Sequence, residues 1–404
     1  MRGEKTVNIK DYKGVHDGTK AVWAGEKEHL AYNATQVPVV LSAAFNYDDI
    51  DEWYEVALGH KPGHIYTRMT NPTIQALEDK VSILEQAEAA VAFASGMAAI
   101  SSTLFTFLRP GDRVVSIKDT YGGTNKIFTE FLPNINVDVV LCDTENHEEI
   151  EAEIDKGCQV LYLESPTNPT LKITDIERLA KYGKAVGALV IIDNTFATPI
   201  NQNPLQLGVD IVIHSATKFL SGHADVLGGV VCGSKKLMEE VYHYREINGA
   251  IIDPFSAYQI IRGMKTLKLR VRQQEKSAME LAKYLQTKPL VEKVNYPGLK
   301  DHPGHEIAKR QMQGFGGILS FVLKDGMDAV KILLPKLKYA NRAGNLGAVE
   351  TIYGPARTTS HVENTLEERL AIGISEGLVR ISVGIEDTED LINDLEQAFS
   401  FLES

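Results

Sequence analysis

Residues 188–223 read ALVIIDNTFATPINQNPLQLGVDIVIHSATKFLSGH, and the fold follows from them. Two short, almost wholly apolar runs, 189–192 and 211–213, each stop at polar residues. Runs of this length without alternation predict strands buried on both faces, as in a mostly parallel sheet covered by helices. Ligands of such open sheets collect beyond the carboxyl ends of the strands. Asp193 stands there after the first run, and Ser215, Thr217 and Lys218 after the second.

The same rhythm extends both ways. AAVAFAS (89–95), RVVSI (113–117), VDVVLCD (137–143), QVLYLES (159–165) and VLGGVVCG (226–233) are further strand candidates, and 173–186 carries apolar residues at helical spacing. From about Lys265 the texture changes to a charged helical stretch, KTLKLRVRQQEKSAMELAKYLQ, then to strands GGILSFVL and LVRISVGI and a closing helix. The expected architecture is α/β: a large, mostly parallel domain (66–265), a smaller C-terminal α+β domain (266–404), and an N-terminal arm (1–65) packed on a neighbouring chain. A chain of 404 residues is long enough for this division.

The net charge of −12, with scattered basic residues, argues against nucleic acid as a partner. No run approaches the roughly 18 apolar residues of a membrane span, and a cytoplasmic protein is the simplest expectation. Cys142, Cys158 and Cys232 are far apart in apolar segments and read as reduced packing residues, with neither disulfide nor metal site.

Lys218 follows a buried strand among small hydroxyl residues. Burial disfavours its charged form, and an amine neutral near pH 7 can form a Schiff base; the bland alternative is a lysine that snorkels to solvent. Ser215 and Thr217 offer hydroxyls to an anion. Across the crevice, Ser95, Gly96 and Met97 turn from strand to helix, where backbone N–H groups and the helix dipole favour a phosphate. Asp193 either caps a turn or meets a buried cationic partner such as a pyridinium N–H. Tyr121 of DTYGGT either packs in the core or stacks on a planar ring. Arg380 alternates with apolar neighbours in LVRISVGI and is expected on one face of a half-buried strand, with a surface ion pair as the alternative.

Taken with ESPTNP, YTRMTNPT, ASGMAA, DTYGGT and SEGLVRISVGIED, these segments make the chain resemble the Cys/Met-metabolism family of pyridoxal-phosphate (PLP) enzymes, from about residue 35 onward. The resemblance implies PLP-dependent transferase fold type I and a homotetramer built as a dimer of dimers, with active sites shared between subunits. It implies that Lys218 is the Schiff-base lysine, that Asp193 pairs with the pyridine nitrogen, and that Tyr121 stacks on the ring; proton transfer near the leaving atom is a further expectation for the Tyr121 hydroxyl. Phosphate contacts would come from Gly96, Met97, Ser215 and Thr217, with Tyr66 and Arg68 reaching in from the partner. Glu164 and Asn168 would orient the cofactor, and Arg380 would hold the substrate carboxylate. The implied activity is γ-replacement on an O-acylhomoserine by cysteine or another thiol; the alternative is a γ-lyase giving 2-oxobutanoate and ammonia. The chain departs from the family at Asn345, in place of a usual serine, and at Arg357 of PARTTSH, where a cation would suit a second negative group on the substrate. Gly123 stands where methionine γ-lyases commonly carry cysteine.

Overall fold

The computed structural model describes residues 9–359, 362 and 365–402. The first residues of the proposed arm, and Ser360 and His361 of PARTTSH, lie outside them. The large sheet contains β1 (Ala89–Phe93), β2 (Arg113–Ile117), β3 (Asp138–Cys142), β4 (Val160–Glu164), β5 (Leu189–Asp193), β6 (Ile211–Ser215) and β7 (Gly229–Gly233). Its order is β1-β7-β6-β5-β4-β2-β3, and within it β7 alone runs against its neighbours. The apolar runs β4, β5 and β6 sit in the middle of the sheet, while β3, with exposed Asp138, lies at one edge.

Strand periodicity sorts the side chains into two layers. Leu161, Leu163, Val190, Ile192 and Val212 join one core with Ile74, Leu77 and Val81 of the helix Pro72–Leu84. Val160, Tyr162, Ile191, Ile211 and Ile213 face the other way, against Ala99, Ile100 and Leu104 of the helix Gly96–Phe107. By the same alternation Glu164, Asp193 and Ser215, the last residues of three adjacent strands, belong to this second layer.

The second sheet, β10-β11-β12-β9-β8, consists of β8 (Val291–Asn295), β9 (Ile318–Leu323), β10 (Asn341–Arg342), β11 (Ile352–Pro355) and β12 (Leu378–Ser382). The helices Leu267–Gln286 and Thr388–Phe399 pack on it through Ala278, Leu281, Leu285, Leu391 and Leu395. Three expectations shift in detail. The helix expected over 173–186 spans Ile176–Ala185, because the Asp175 side chain accepts from the Arg178 N–H and fixes its start. The charged stretch becomes helical at Leu267, after a separate helix Pro254–Met264. β12 is buried throughout rather than half-buried, since helices cover one face and the large domain meets the other.

Within the N-terminal segment, Ala21 and Val37 pack into the main core of their own chain, whereas Leu41, Ile50, Trp53, Tyr54 and Leu58 stay exposed. Among the described residues no helix is long and apolar enough to cross a membrane. Cys142, Cys158 and Cys232 are free and buried, and burial pushes the Cys142 thiol up to about 11.

Candidate active site

Lys218 leaves β6 in a turn held by its own N–H donating to the Ser215 carbonyl (3.2 Å) and by the Thr217 hydroxyl bonding Gly228. The second domain closes on this turn. Gly347, at φ +75°, lies so near that a Cβ there would come within 2.6 Å of the Phe219 nitrogen, so only glycine suits both the backbone and the contact. Two residues earlier, Asn345 Oδ1 accepts from Lys218 Nζ at 2.7 Å. Burial, followed by the nearby Arg380 charge, lowers the Lys218 amine to about 8.

Asp193 is buried at the end of β5. Its Oδ1 accepts from Thr195 N (2.9 Å) and Thr195 Oγ1 (2.6 Å), and Oδ2 has no hydrogen bond among the described residues. On the neighbouring strand, in register with it, Glu164 accepts from the Tyr121 N–H at 2.8 Å. Burial and the Asp193 charge raise the Glu164 carboxyl well above its usual range. Asp193 is also raised by burial, but the two Thr195 donors oppose that shift. The negative charge therefore rests on Asp193, and Glu164 takes up a proton more readily. Thr195 was missed by sequence reasoning; an Asp two residues before a Thr at a strand end is the turn signal that marks it.

Gly96 opens the helix facing this layer. A Cβ on it would lie 2.8 Å from Ser215 Cβ, so glycine lets the helix N-terminus approach the strand end. The Ser215 hydroxyl has no hydrogen bond among the described residues, while its N–H donates to Thr195 Oγ1. Met97 sits in the first turn, and a Cβ on Gly123 would come within 2.7 Å of its sulfur and 3.0 Å of the Tyr121 ring. Tyr121 is 42% exposed.

Arg380 is 3% exposed. Its guanidinium donates to Asn168 Oδ1 and to the Asn345 carbonyl, both at 2.9 Å, and its Nε is buried without a partner. No carboxylate neutralises it among the described residues, and burial lowers it to about 10.

Two groups stand apart. Tyr66 and Arg68 lie on an exposed segment where Arg68 stacks over the Tyr66 ring and donates to the Glu246 carbonyl. Arg357 pairs with Glu376 at 2.9 Å, and Arg369 holds the other oxygen of the same carboxylate at 2.7 Å.

The family described as Cys/Met metabolism PLP-dependent enzymes matches residues 18–400. The chain belongs to that family. It is 45% identical over 383 residues to an L-methionine gamma-lyase of Fusobacterium nucleatum subsp. polymorphum, covering 94% of this chain and 97% of the relative. It is 46% identical over 342 residues to a cystathionine gamma-lyase of Bacillus subtilis (strain 168), covering 84% and 89%. A crystal structure of cystathionine gamma synthase from Xanthomonas oryzae pv. oryzae, in complex with aminoacrylate and cysteine, superposes with a TM-score of 0.91 at 36% identity, covering 96% and 98%.

The chain is therefore a PLP-dependent enzyme of the γ-lyase and γ-synthase type, with the fold expected from sequence. Its residues suit the cofactor. An aldehyde needs an uncharged amine, a ring nitrogen needs an unshared carboxylate oxygen, and a phosphate needs free donors at a helix N-terminus. Lys218, Asp193 Oδ2 and the Gly96–Ser215 cradle offer these three.

Proposed function

We propose that this chain eliminates the γ-substituent of a small amino acid bearing an uncharged γ-thioether or γ-acyloxy group, giving a 2-oxo acid and ammonia. The observation that carries this reading is the placement of Lys218. Its amine, lowered to about 8, is held by Asn345 beside the unneutralised Arg380, one strand from Asp193. When bound, PLP supplies an electrophilic aldehyde and a ring that takes up the electron pair released at the substrate Cα.

The chain's residues do the rest. Arg380 holds the substrate α-carboxylate with two parallel donors, a task for which its planar fork is suited. Asn168 and the Asn345 carbonyl fix that fork. Lys218 Nζ, once freed, removes the Cα proton and afterwards a Cβ proton, whose bond pair forms the Cβ–Cγ double bond as the γ-substituent leaves with a proton from Tyr121. Asp193 keeps a proton on the ring nitrogen, and Glu164 sets Tyr121 through its backbone N–H. The Tyr121 hydroxyl serves the leaving atom as acid. Gly96, Met97, Ser215 and Thr217 receive the phosphate, and Tyr66 and Arg68 complete that site from a second copy, in a homotetramer formed as a dimer of dimers. The apolar residues exposed between Leu41 and Leu58 support this surface as the contact.

An uncharged γ-substituent is favoured because Arg357, the cation that the sequence offered to a second anionic group, is engaged by Glu376. Replacement by a thiol, the first expectation from sequence, is the second reading; the likeness to the cystathionine gamma synthase structure favours it. Incubation with L-methionine, L-cystathionine and O-acetylhomoserine, with and without cysteine, separates the two by product mass. Elimination of an uncharged γ-substituent predicts 2-oxobutanoate from L-methionine and O-acetylhomoserine without cysteine, and little from L-cystathionine, whose γ-substituent ends in an ammonium and a carboxylate. Thioether from O-acetylhomoserine and cysteine, with no 2-oxobutanoate from any of the three, would reverse the order.

A further inference from the structure

The loop 164–172 grips the site in more places than the assigned residues explain. Glu164 takes the Tyr121 N–H, and Asn168 takes Arg380. At its end, Lys172 Nζ meets both oxygens of Asp119 at 3.1 Å and the Ile372 carbonyl at 3.3 Å. Asp119 lies two residues before Tyr121 and also accepts from the Thr144 hydroxyl. Ile372 belongs to the second domain, just past the helix Leu366–Ala371. The loop is compact: the Lys172 N–H donates to Thr167 Oγ1, and the Thr167 N–H to the Lys172 carbonyl, both at 3.1 Å.

We infer that Lys172 is a positioning residue that locks the Tyr121 loop of the large domain to the C-terminal segment flanking the substrate side. The chemistry is specific to an ammonium at this point. Asp119 is almost fully buried, and Lys172 is its one cationic partner among the described residues. A buried carboxylate deprived of its cation seeks water, which displaces the loop after β2 that carries Tyr121. The same three-donor group satisfies the Ile372 carbonyl, so one side chain ties two other segments to the loop 164–172.

The segment so tied borders the substrate side. Gly354 of β11 pairs with Arg380 of β12, and a Cβ on Gly354 would lie 2.5 Å from Thr359 Cγ2, so the chain leaving β11 folds back over the arginine strand. Ile372, held by Lys172, packs with Ala356, Ile374 and Leu378, the last of them on β12. Lys172 thus holds a residue packed against the strand that carries the substrate-carboxylate arginine. Its loss is expected to reach the substrate fit on one side and, through the Tyr121 loop, the proton-transfer step on the other.

The inference rests on the enzyme reading above for its kinetic readout but not for its structural one. Lys172→Met, Lys172→Gln and Lys172→Arg are made in the full chain. Backbone hydrogen exchange, measured without cofactor, is expected to quicken in the methionine variant at residues 119–123 and 372–374 and to stay unchanged across β4 to β6. In the loaded enzyme, KM for the amino-acid substrate is expected to rise about tenfold and kcat to fall about tenfold as Tyr121 shifts. The arginine variant, which keeps the charge, should recover most of both effects. Should the methionine variant not fold, the glutamine variant, which keeps a donor but loses the charge, answers the same question. Wild-type exchange at both segments in the methionine or glutamine variant would overturn the inference whatever the enzyme's activity. A KM within twofold of wild type in an active enzyme would overturn it as well.

Discussion

Two lysines, the fully buried Lys80 and the half-buried Lys218, have amines lowered to about the same value, near 8, and for the same main reason, loss of solvation. Their surroundings differ. Lys80, fully buried on the helix Pro72–Leu84, faces Glu26 at 2.9 Å and donates to the Ala21 carbonyl at 2.8 Å, stitching the N-terminal segment to the core. Lys218 has a neutral carboxamide and a nearby cation, and no carboxylate pairs with it among the described residues. A lowered pKa alone therefore does not mark a reactive lysine. The distinguishing feature is whether the protein answers the charge: at residue 80 it supplies a counter-ion, and at residue 218 it leaves the amine available.

Exchanging the two roles is the strongest attempt to break this comparison. Lys218→Ala should lower kcat by about a thousandfold or more while the thermal midpoint stays near wild type, as calorimetry would show. Lys80→Met should do the reverse, removing about 3 kcal/mol of stability by leaving Glu26 with one cation fewer, with kcat per folded enzyme unchanged in a denaturant series. Loss of kcat in the second with no change in stability would erase the distinction.

Smaller effects sharpen it. Tyr121→Phe keeps the ring and removes the hydroxyl, so kcat should fall about a hundredfold at little change in KM, measured by steady-state kinetics. Arg380→Lys keeps the charge and loses the two-pronged donor, which should raise KM about tenfold for the same substrate. The smallest effect is one of titration. In the chain without cofactor, an amine-acylating reagent should modify Lys218 half-maximally near pH 8, read by peptide mapping, and leave the inaccessible Lys80 unmodified. The folded Lys218 pKa lies below its ordinary 10.5, so its burial costs stability below pH 8, and that cost fades as pH rises from 8 towards 10.5.

The reactive face was legible because strand ends are legible. β4, β5 and β6 stop at Glu164, Asp193 and Ser215, where the apolar runs end in the sequence, and period-two alternation turns all three to one side. The partnerships across the domain boundary were not legible. Nothing local in GNLGA reveals that Asn345 meets Lys218 or that its carbonyl takes Arg380, because residues 127 and 35 positions away are brought there by packing. Arg357 misled for a related reason: PARTTSH offers a free-looking cation, and Glu376, which engages it, arrives 19 residues later. Asp119 and Lys172 stood in view in DTYGGT and NPTLK, but an ordinary surface pair reads the same until burial is known.

The meeting of Gly347 and Asn345 with the turn at Lys218 bears on how such enzymes diversify. Residues before about 265 build the cradle and anchor lysine; residues after it bring the carboxylate arginine and the amide that steadies the amine. Chimeras joining the front half of this chain to the rear half of a relative should thus inherit coloured, cofactor-laden protein from one parent and appetite for a particular amino acid from the other.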